Sequence, residues 1–216
     1  KSGGYKAKEK TALTEDQVQT LLQAVKGTRA EPFIMLGIYT GMRREEILGL
    51  QWDCVKLGKN TPHVIVKRAL RWENCRPVVN EILKSDAAQR TIPIPPQLAD
   101  YLKEIQQPAG HVVGGEPLTQ TQFKNLWRVV ENRRIGEKTY VIPHSLTREK
   151  STFTREMGAK SRGGNFYYTI DFPVSPHILR HTYITNLILS GADLKTVQYL
   201  AGHANIKITL DIYTHL

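Results

Sequence analysis

Apolar and polar positions along the chain follow a helical period over most of its length. In "LTEDQVQTLLQAV", Val18, Leu21, Leu22 and Val25 recur at spacings of three and four, which puts one apolar stripe on one helix face. Thr14 and Gln17 read as a capping box ahead of that stripe, with Leu13 and Val18 as its hydrophobic staple and Gly27 closing the helix. In "EPFIMLGIYTGMRREEILGLQW", Pro32 suits a first helical turn, and residues 33–39 are too apolar to be anything but core. Gly41 then breaks the helix. A second helical run carries Arg43, Arg44, Glu45 and Glu46 ahead of Ile47 and Leu48. Arginines set between two apolar segments do not read as a freely solvated face.

The period changes over residues 63–94. "HVIVKRAL", "CRPVVNEIL" and "QRTIPIP" are short, rich in Val and Ile, and broken by polar clusters, which predicts a small antiparallel sheet. Helices return in "PPQLADYLKEIQQ" and "TQTQFKNLWRVVENRRIG". The latter opens on a Thr119–Gln122 capping box and is striped by Phe123, Leu126, Trp127 and Val130. Residues 137–173 show no clear period. "TREKSTFTREMGAKSRGGNFYYTIDF" is basic, contains glycine and ends in aromatics, and reads as an inserted loop or hairpin. Three helices finish the chain: one from Pro176, capped by Ser175 and ended by Gly191, one over residues 193–200, and one from about Asn205. The fold class is mainly α with a small antiparallel β-sheet (α+β).

Composition narrows the class. A chain of 216 residues, 40% hydrophobic and 23% charged, is globular and long enough for a sizeable core. Its 30 Lys and Arg against 20 Asp and Glu leave +10, a field that recruits polyanions, nucleic acid first and an acidic membrane surface second. Cys54 and Cys75 lack C-x-x-C spacing, which argues against a zinc ribbon or a disulfide framework and predicts reduced thiols. No apolar run approaches the ~20 residues of a membrane span, and no signal peptide is visible. A cytoplasmic protein with no membrane partner is expected. The opening "KSGGYKAKEK" is basic and contains glycine, and reads as a linker left by trimming an upstream domain.

Residues suited to a phosphate lie in separated segments. In "SPHILRHTYIT", His177 and Arg180 share a helix face, with His181 one turn beyond His177. A metal pair of His177 and His181 is disfavoured by the arginine between them, and His181 reads as a core histidine. "TGMRREEILGL" supplies Arg43, for which an ion pair with Glu46 or Glu45 is the plainer role. "LAGH" sets His203 beside Gly202, where backbone or ligand can approach closely. "EILKSDAAQRTIP" puts Lys84 at the tip of a predicted hairpin, and Tyr213 lies three residues from the last position. A tyrosine hydroxyl ionises near pH ~10, so a nucleophilic tyrosine needs cations to stabilise its phenolate and a base to take its proton. Two guanidiniums would do the first and also hold a phosphorane-like transition state. Histidines could do the second, and a lysine could protonate a departing sugar oxygen. That chemistry calls for neither a metal nor a cofactor.

The order Arg43, Lys84, His177-x-x-Arg180, His203, Tyr213 resembles the tyrosine recombinase family, also called phage-type integrases. "TGMRREE" is similar to that family's T-G-x-R-x-x-E, which selects Arg43 over Arg44 and pairs it with Glu46. "HILRHTYIT" resembles its H-x-L-R-H-T block, and "LAGH" followed by "ITLDIYTH" resembles its L-G-H and Y-T-H ending. Lys84, six residues before Arg90, matches the hairpin lysine, although "LKSDAAQ" replaces the usual P-K-T. The segments "RWENCRPVVNEIL" and "EKTYVIPHSLTREKSTFTREMG" look like inserts near residues 70–83 and 137–173, and suggest the integrases of integrative conjugative elements.

The resemblance implies a tyrosine recombinase catalytic-domain fold over residues 13–216, with residues 1–12 as a linker from a missing N-terminal DNA-binding domain. It also implies roles. Tyr213 would be the nucleophile, forming a 3′-phosphotyrosine and freeing a 5′-hydroxyl. Arg43 and Arg180 would clamp the phosphate, and His203 would donate to it. His177 would act as general base and Lys84 as general acid. The implied partners are double-stranded DNA attachment sites, other protomers in a homo-tetramer on DNA, and an excision or directionality factor. The isolated fragment is expected to be a monomer, and the setting is the bacterial cytoplasm, at the nucleoid. Lys67, Arg68, Arg71 and the basic insert are candidates for DNA contact, against a reading as solvated surface. Two rivals remain open at this point: type IB topoisomerase-like cleavage and resealing, and a non-catalytic DNA-binding relative. His203 and Tyr213 are ten residues apart, nearly three helical turns. The Asn205 cap suggests that His203 stays with a fixed site while the next segment carries a mobile Tyr213, poorly placed for attack without DNA.

Overall fold

The computed structural model describes residues 12–58, 61–81, 89–142 and 145–214, and for Tyr213 the backbone alone. The linker expected over residues 1–12 lies, apart from Ala12, outside the described residues, and so does Lys84.

Helix α1 (Glu15–Val25) starts at the capping box read from the sequence. The Thr14 hydroxyl accepts from the Gln17 N–H, and the Thr14 N–H donates to the Gln17 side chain at 3.0 Å. Two otherwise orphaned donors are thereby satisfied, and Val18, Leu21 and Val25 face the core. Helix α2 (Glu31–Thr40) is buried on nearly every side, as expected of a helix that is apolar all round. Gly41 ends it at φ 59°, its N–H donating to the Gly37 carbonyl. A Cβ at Gly41 would also collide with the Tyr183 ring. Left-handed backbone and close approach both require glycine there, and the turn aims the short helix α3 (Arg44–Gly49), whose N-cap is Arg43.

Five short strands follow: β1 (Val55–Lys56), β2 (His63–Val66), β3 (Arg68–Glu73), β4 (Arg76–Glu81) and β5 (Arg90–Pro93). The single sheet expected over residues 63–94 divides in two: β1, β2 and β5 form one antiparallel sheet, and β3 and β4 form a separate hairpin. Burial explains the split. Val64, Val66 and Ile92 anchor the first sheet on the core, whereas the hairpin buries only Leu70 fully. At the hairpin tip Asn74 and Cys75 take φ of 49° and 65°, a two-residue mirror-image turn that suits the twist of paired strands. Both cysteines are free thiols, Cys54 buried and Cys75 exposed.

Helices α4 (Pro96–Glu104) and α5 (Gln120–Glu131) close the other side, α5 on the expected Thr119–Gln122 capping box. Phe123 and Trp127 of α5 pack on Phe33 of α2, with ring centroids 5.4 and 5.8 Å apart. The segment without a period holds an antiparallel hairpin of β6 (Gly136–Val141) and β7 (Lys150–Arg155). No residue of these two strands is buried, which is why no core-facing period marks them. Arg155 lies over the Phe153 and Tyr168 rings, and Arg133 over Phe166 at 4.2 Å. Stacked guanidiniums thus stand in for a hydrophobic core.

The last three helices are α6 (Pro176–Leu189), α7 (Leu194–Ala201) and α8 (Ile206–Tyr213), capped by Ser175, Asp193 and Asn205. Helix α6 packs on α2 where Gly37 faces Leu179, so closely that a Cβ on Gly37 would lie 2.7 Å from Leu179 Cδ1. The observed class is the expected one: mainly α, with small antiparallel sheets. Among the described residues no helix is long and apolar enough to cross a membrane.

The α2–α6 contact yields a stability prediction. Gly37→Val should wedge the helices apart and lower the unfolding free energy by about 1–3 kcal/mol. The readout is a shift of the urea midpoint at unchanged slope. An unshifted midpoint would contradict close packing at this point.

Candidate active site

The sequence TGMRREE builds the first part of the site locally. With Arg43 at the N-cap of α3, Glu46 falls one turn on and reaches back. Glu46 Oε2 accepts from the Arg43 backbone N–H at 2.8 Å, and Oε1 accepts from Arg43 Nη1 at 2.9 Å. The second part comes from β5. Arg90, its side chain wholly buried, donates Nη2 to Glu46 Oε2 at 2.7 Å and Nη1 to Oε1 at 3.1 Å, a bidentate pair of the strong kind. The third part comes from α6, where Arg180 Nη1 donates to the Gly41 carbonyl at 2.7 Å.

These arginines meet at the C-terminal end of α7. Arg90 Nε donates to the Leu200 carbonyl at 2.8 Å, Arg180 Nη2 to that of Ala201, and Arg43 Nη2 to that of Gly202 at 2.7 Å. A helix leaves its last carbonyls without intrahelical partners and carries partial negative charge there. Three successive carbonyls each take one guanidinium. Gly202, at φ 64°, makes this possible, because a Cβ there would lie 2.7 Å from Arg90 Nη1.

His203 follows directly and is buried. Its Nδ1 lies 3.0 Å from Thr209 Oγ1 on α8, its N–H donates to the Gln198 carbonyl, and its own carbonyl accepts from Gln198 Nε2. His203 is therefore bonded to the helix that carries Tyr213 rather than separate from it.

The electrostatics follow from burial and crowding. Burial and then the positive charges of Arg180, Arg43 and Arg90 push the His203 imidazole down to about 4, so it is neutral at physiological pH. Burial alone would raise the Glu46 carboxyl, but the hydrogen bond and charge of Arg90, and then Arg43, hold it at about 2. Burial and then the charge of Arg43 lower Arg180 to about 9, still cationic near neutrality. Among the described residues the partners of Arg180 are two carbonyl oxygens and no carboxylate.

The structure thus brings Arg43, Arg180 and His203 together. His177 is exposed on α6, three residues before Arg180, and His181 is half-buried rather than a core residue. Tyr213 is the last residue of α8. Arg44 stays outside the cluster: it pairs with Glu45 and stacks on Trp72 at 5.2 Å and Phe123 at 5.8 Å. Of the three cations proposed for DNA contact, Arg68 is tied to Asp53 by two hydrogen bonds of 2.8 and 2.9 Å, while Lys67 and Arg71 are exposed. Arg71 joins Arg43, Arg44 and Trp72 in lining an open cavity of about 520 Å³. Among the described residues no three His, Cys, Asp or Glu side chains cluster as a metal site would require.

Arg90 is the member that sequence reasoning missed. A signal was present, since Arg90 and Ile92 alternate inward along β5. An arginine on the core face of a strand demands a buried anion.

The phage integrase family matches residues 11–216, so the chain belongs to that family. It is 29% identical to a XerC-like tyrosine recombinase of Caldanaerobacter subterraneus subsp. tengcongensis, over 94% of this chain and 50% of the relative. It is 27% identical to the transposase from transposon Tn916 of Enterococcus faecalis, over 95% and 48%. The chain spans about half the length of these curated relatives. In fold it is similar to the Tn1549 transposon integrase solved with transposon right end DNA, at a TM-score of 0.66 and 20% identity over 98% of this chain and 64% of that one.

The buried triad gives a pH prediction. Glu46 titrates at about 2 in the folded chain against an ordinary value of 4.5, so the unfolded chain binds more protons between those values. The stabilisation is fully present above about pH 4.5 and is lost as pH falls towards 2. Glu46→Gln should cost about 3–5 kcal/mol at neutral pH, because the buried Arg90 guanidinium loses its counter-charge and the half-exposed Arg43 loses its partner. It should also flatten stability across that acid window. Denaturant unfolding at a series of pH values checks both, and wild-type behaviour in the variant would contradict the triad.

Proposed function

We propose that residues 13–216 are the catalytic domain of a site-specific DNA recombinase or integrase that uses Tyr213 as its nucleophile. The observation that carries this reading is Arg180, a half-buried cation beside Arg43 whose hydrogen-bond partners among the described residues are two carbonyl oxygens. A cation so placed is stabilised by an arriving anion, and its forked donors match a phosphate. Family membership and a DNA-bound structural relative support DNA as the source of that phosphate.

In this scheme Arg43 and Arg180 hold the non-bridging oxygens of the scissile phosphate, and neutral His203 donates a hydrogen bond to it. The phenolic oxygen of Tyr213 bonds to phosphorus as its proton passes to His177. The bond from phosphorus to the 5′ oxygen breaks as Lys84 supplies a proton to that oxygen. The products are a 3′-phosphotyrosyl ester and a 5′-hydroxyl. The ester keeps the bond energy, so rejoining to a partner strand needs no nucleotide, and the scheme uses no metal. The working assembly is a homo-tetramer on two attachment sites in the bacterial cytoplasm, at the nucleoid, with a separate factor setting the direction of excision. Residues 70–83 and 137–173 are inserts in the catalytic domain, and Lys67 and Arg71 are the cations offered to the DNA backbone.

A nicked suicide DNA site tests the reading. The wild type should form a covalent protein–DNA adduct that Tyr213→Phe abolishes. Arg43→Lys and Arg180→Lys should slow its formation about 10²–10³-fold, the usual loss when one donor to a developing oxyanion is removed. DNA binding without any adduct would favour the non-catalytic reading. An adduct that only reseals its own strand would favour topoisomerase-like chemistry. If Arg71 contacts a phosphate, Arg71→Gln should reduce the slope of log affinity against log salt by about one.

A further inference from the structure

We infer that Thr209 is a positioning residue for His203: its hydroxyl donates to Nδ1 and so keeps the imidazole proton on Nε2, the one ring atom then able to donate to phosphate. The functional half of this inference rests on the proposed role of His203, while the tautomer itself does not.

The direction of the hydrogen bond follows from counting donors and acceptors. Thr209 Oγ1 and His203 Nδ1 are 3.0 Å apart, and both residues are buried, Thr209 completely. Among the described residues Nδ1 is the sole hydrogen-bond partner of that hydroxyl. If Nδ1 carried the proton and donated, the hydroxyl would accept, and its own proton would be left buried without an acceptor. If the hydroxyl donates, both groups are satisfied. The second arrangement therefore prevails, and a neutral imidazole has one N–H only. The ring is kept neutral by burial and by Arg180, Arg43 and Arg90, the charged groups around it. A neutral ring with the wrong tautomer would present a lone pair to a phosphate oxygen and repel it.

The position of Thr209 adds a second consequence. It lies on α8 four residues before Tyr213, hence one turn away on the same helix face. The same hydroxyl that selects the tautomer also ties the tyrosine helix to the segment beyond Gly202. It couples the phosphate donor to the placement of the nucleophile.

Nitrogen-15 NMR of the His203 ring tests the inference directly. The wild-type protein should show the Nε2–H tautomer. Thr209→Val, which keeps the shape but removes the hydroxyl, should lose that preference and slow adduct formation on the suicide site. A loss of about 10–100-fold is expected, as when a partner that orients a functional histidine is removed. Thr209→Ser should restore both. A wild-type Nδ1–H tautomer would overturn the inference without any variant, which covers the case of a valine variant that fails to fold. So would a folded Thr209→Val protein that keeps both the Nε2–H tautomer and full cleavage. A wild type with the Nε2–H tautomer but no adduct would instead defeat the recombinase reading and leave the tautomer assignment standing.

Discussion

The carboxylate of Glu46 sits between two guanidiniums that reach it from different parts of the fold, Arg43 one turn away on α3 and Arg90 from strand β5. Each arginine also donates to one of the carbonyls that end α7. One buried acid therefore joins a helix start, a sheet and a helix end. Desolvating such charges offsets much of their mutual attraction, so a triad of this kind contributes less to stability than its short distances suggest. Its larger effect is to fix position. Arg43 cannot move without giving up its bonds to Glu46 and to the Gly202 carbonyl, and α7 cannot move without stranding three cations.

The end of α7 is where this constraint becomes chemistry. Helix ends carry partial negative charge, and here that charge is met by Arg90, Arg180 and Arg43 in successive residues. Partial dipoles do not balance full charges, and Glu46 supplies one formal negative charge to the cluster. The surplus is positive and, after burial, it is the second cause that keeps His203 neutral and lowers Arg180. An anionic phosphate would relieve both. Preorganised donors of this kind cost no reorganisation when charge develops on a reacting group.

Away from the cluster the chain is less constrained. Among the described residues the hairpins β3–β4 and β6–β7 pair only with themselves, and the second is held at its base by stacking of arginine on aromatic rings. Such contacts need no hydrophobic core, so hairpins of this kind extend the surface without disturbing the packing of α2 against α6. Arg71 brings the first hairpin to the rim of the cavity that Arg43 and Arg44 also line.

Helices, caps and the order of the motifs were legible in the sequence because they depend on neighbours three and four residues apart. Thr14 with Gln17, Thr119 with Gln122, and Gly41 before Arg43 each declare their structure locally. The likeness to tyrosine recombinases was legible for a related reason, since each motif is a short run of residues. The division of the predicted sheet was not, because the strands differ in what they bury rather than in composition. Neither was the partnership of Arg90 with Glu46 across 44 residues, nor that of His203 with Thr209 across a turn. The sequence by itself determined which groups are available and on which elements they ride. The tertiary structure decided which charges share a carboxylate, which nitrogen of His203 faces Thr209, and that Arg180 bonds carbonyl oxygens. Burial alone gives those distances their energetic weight, and burial is a property of the assembled chain.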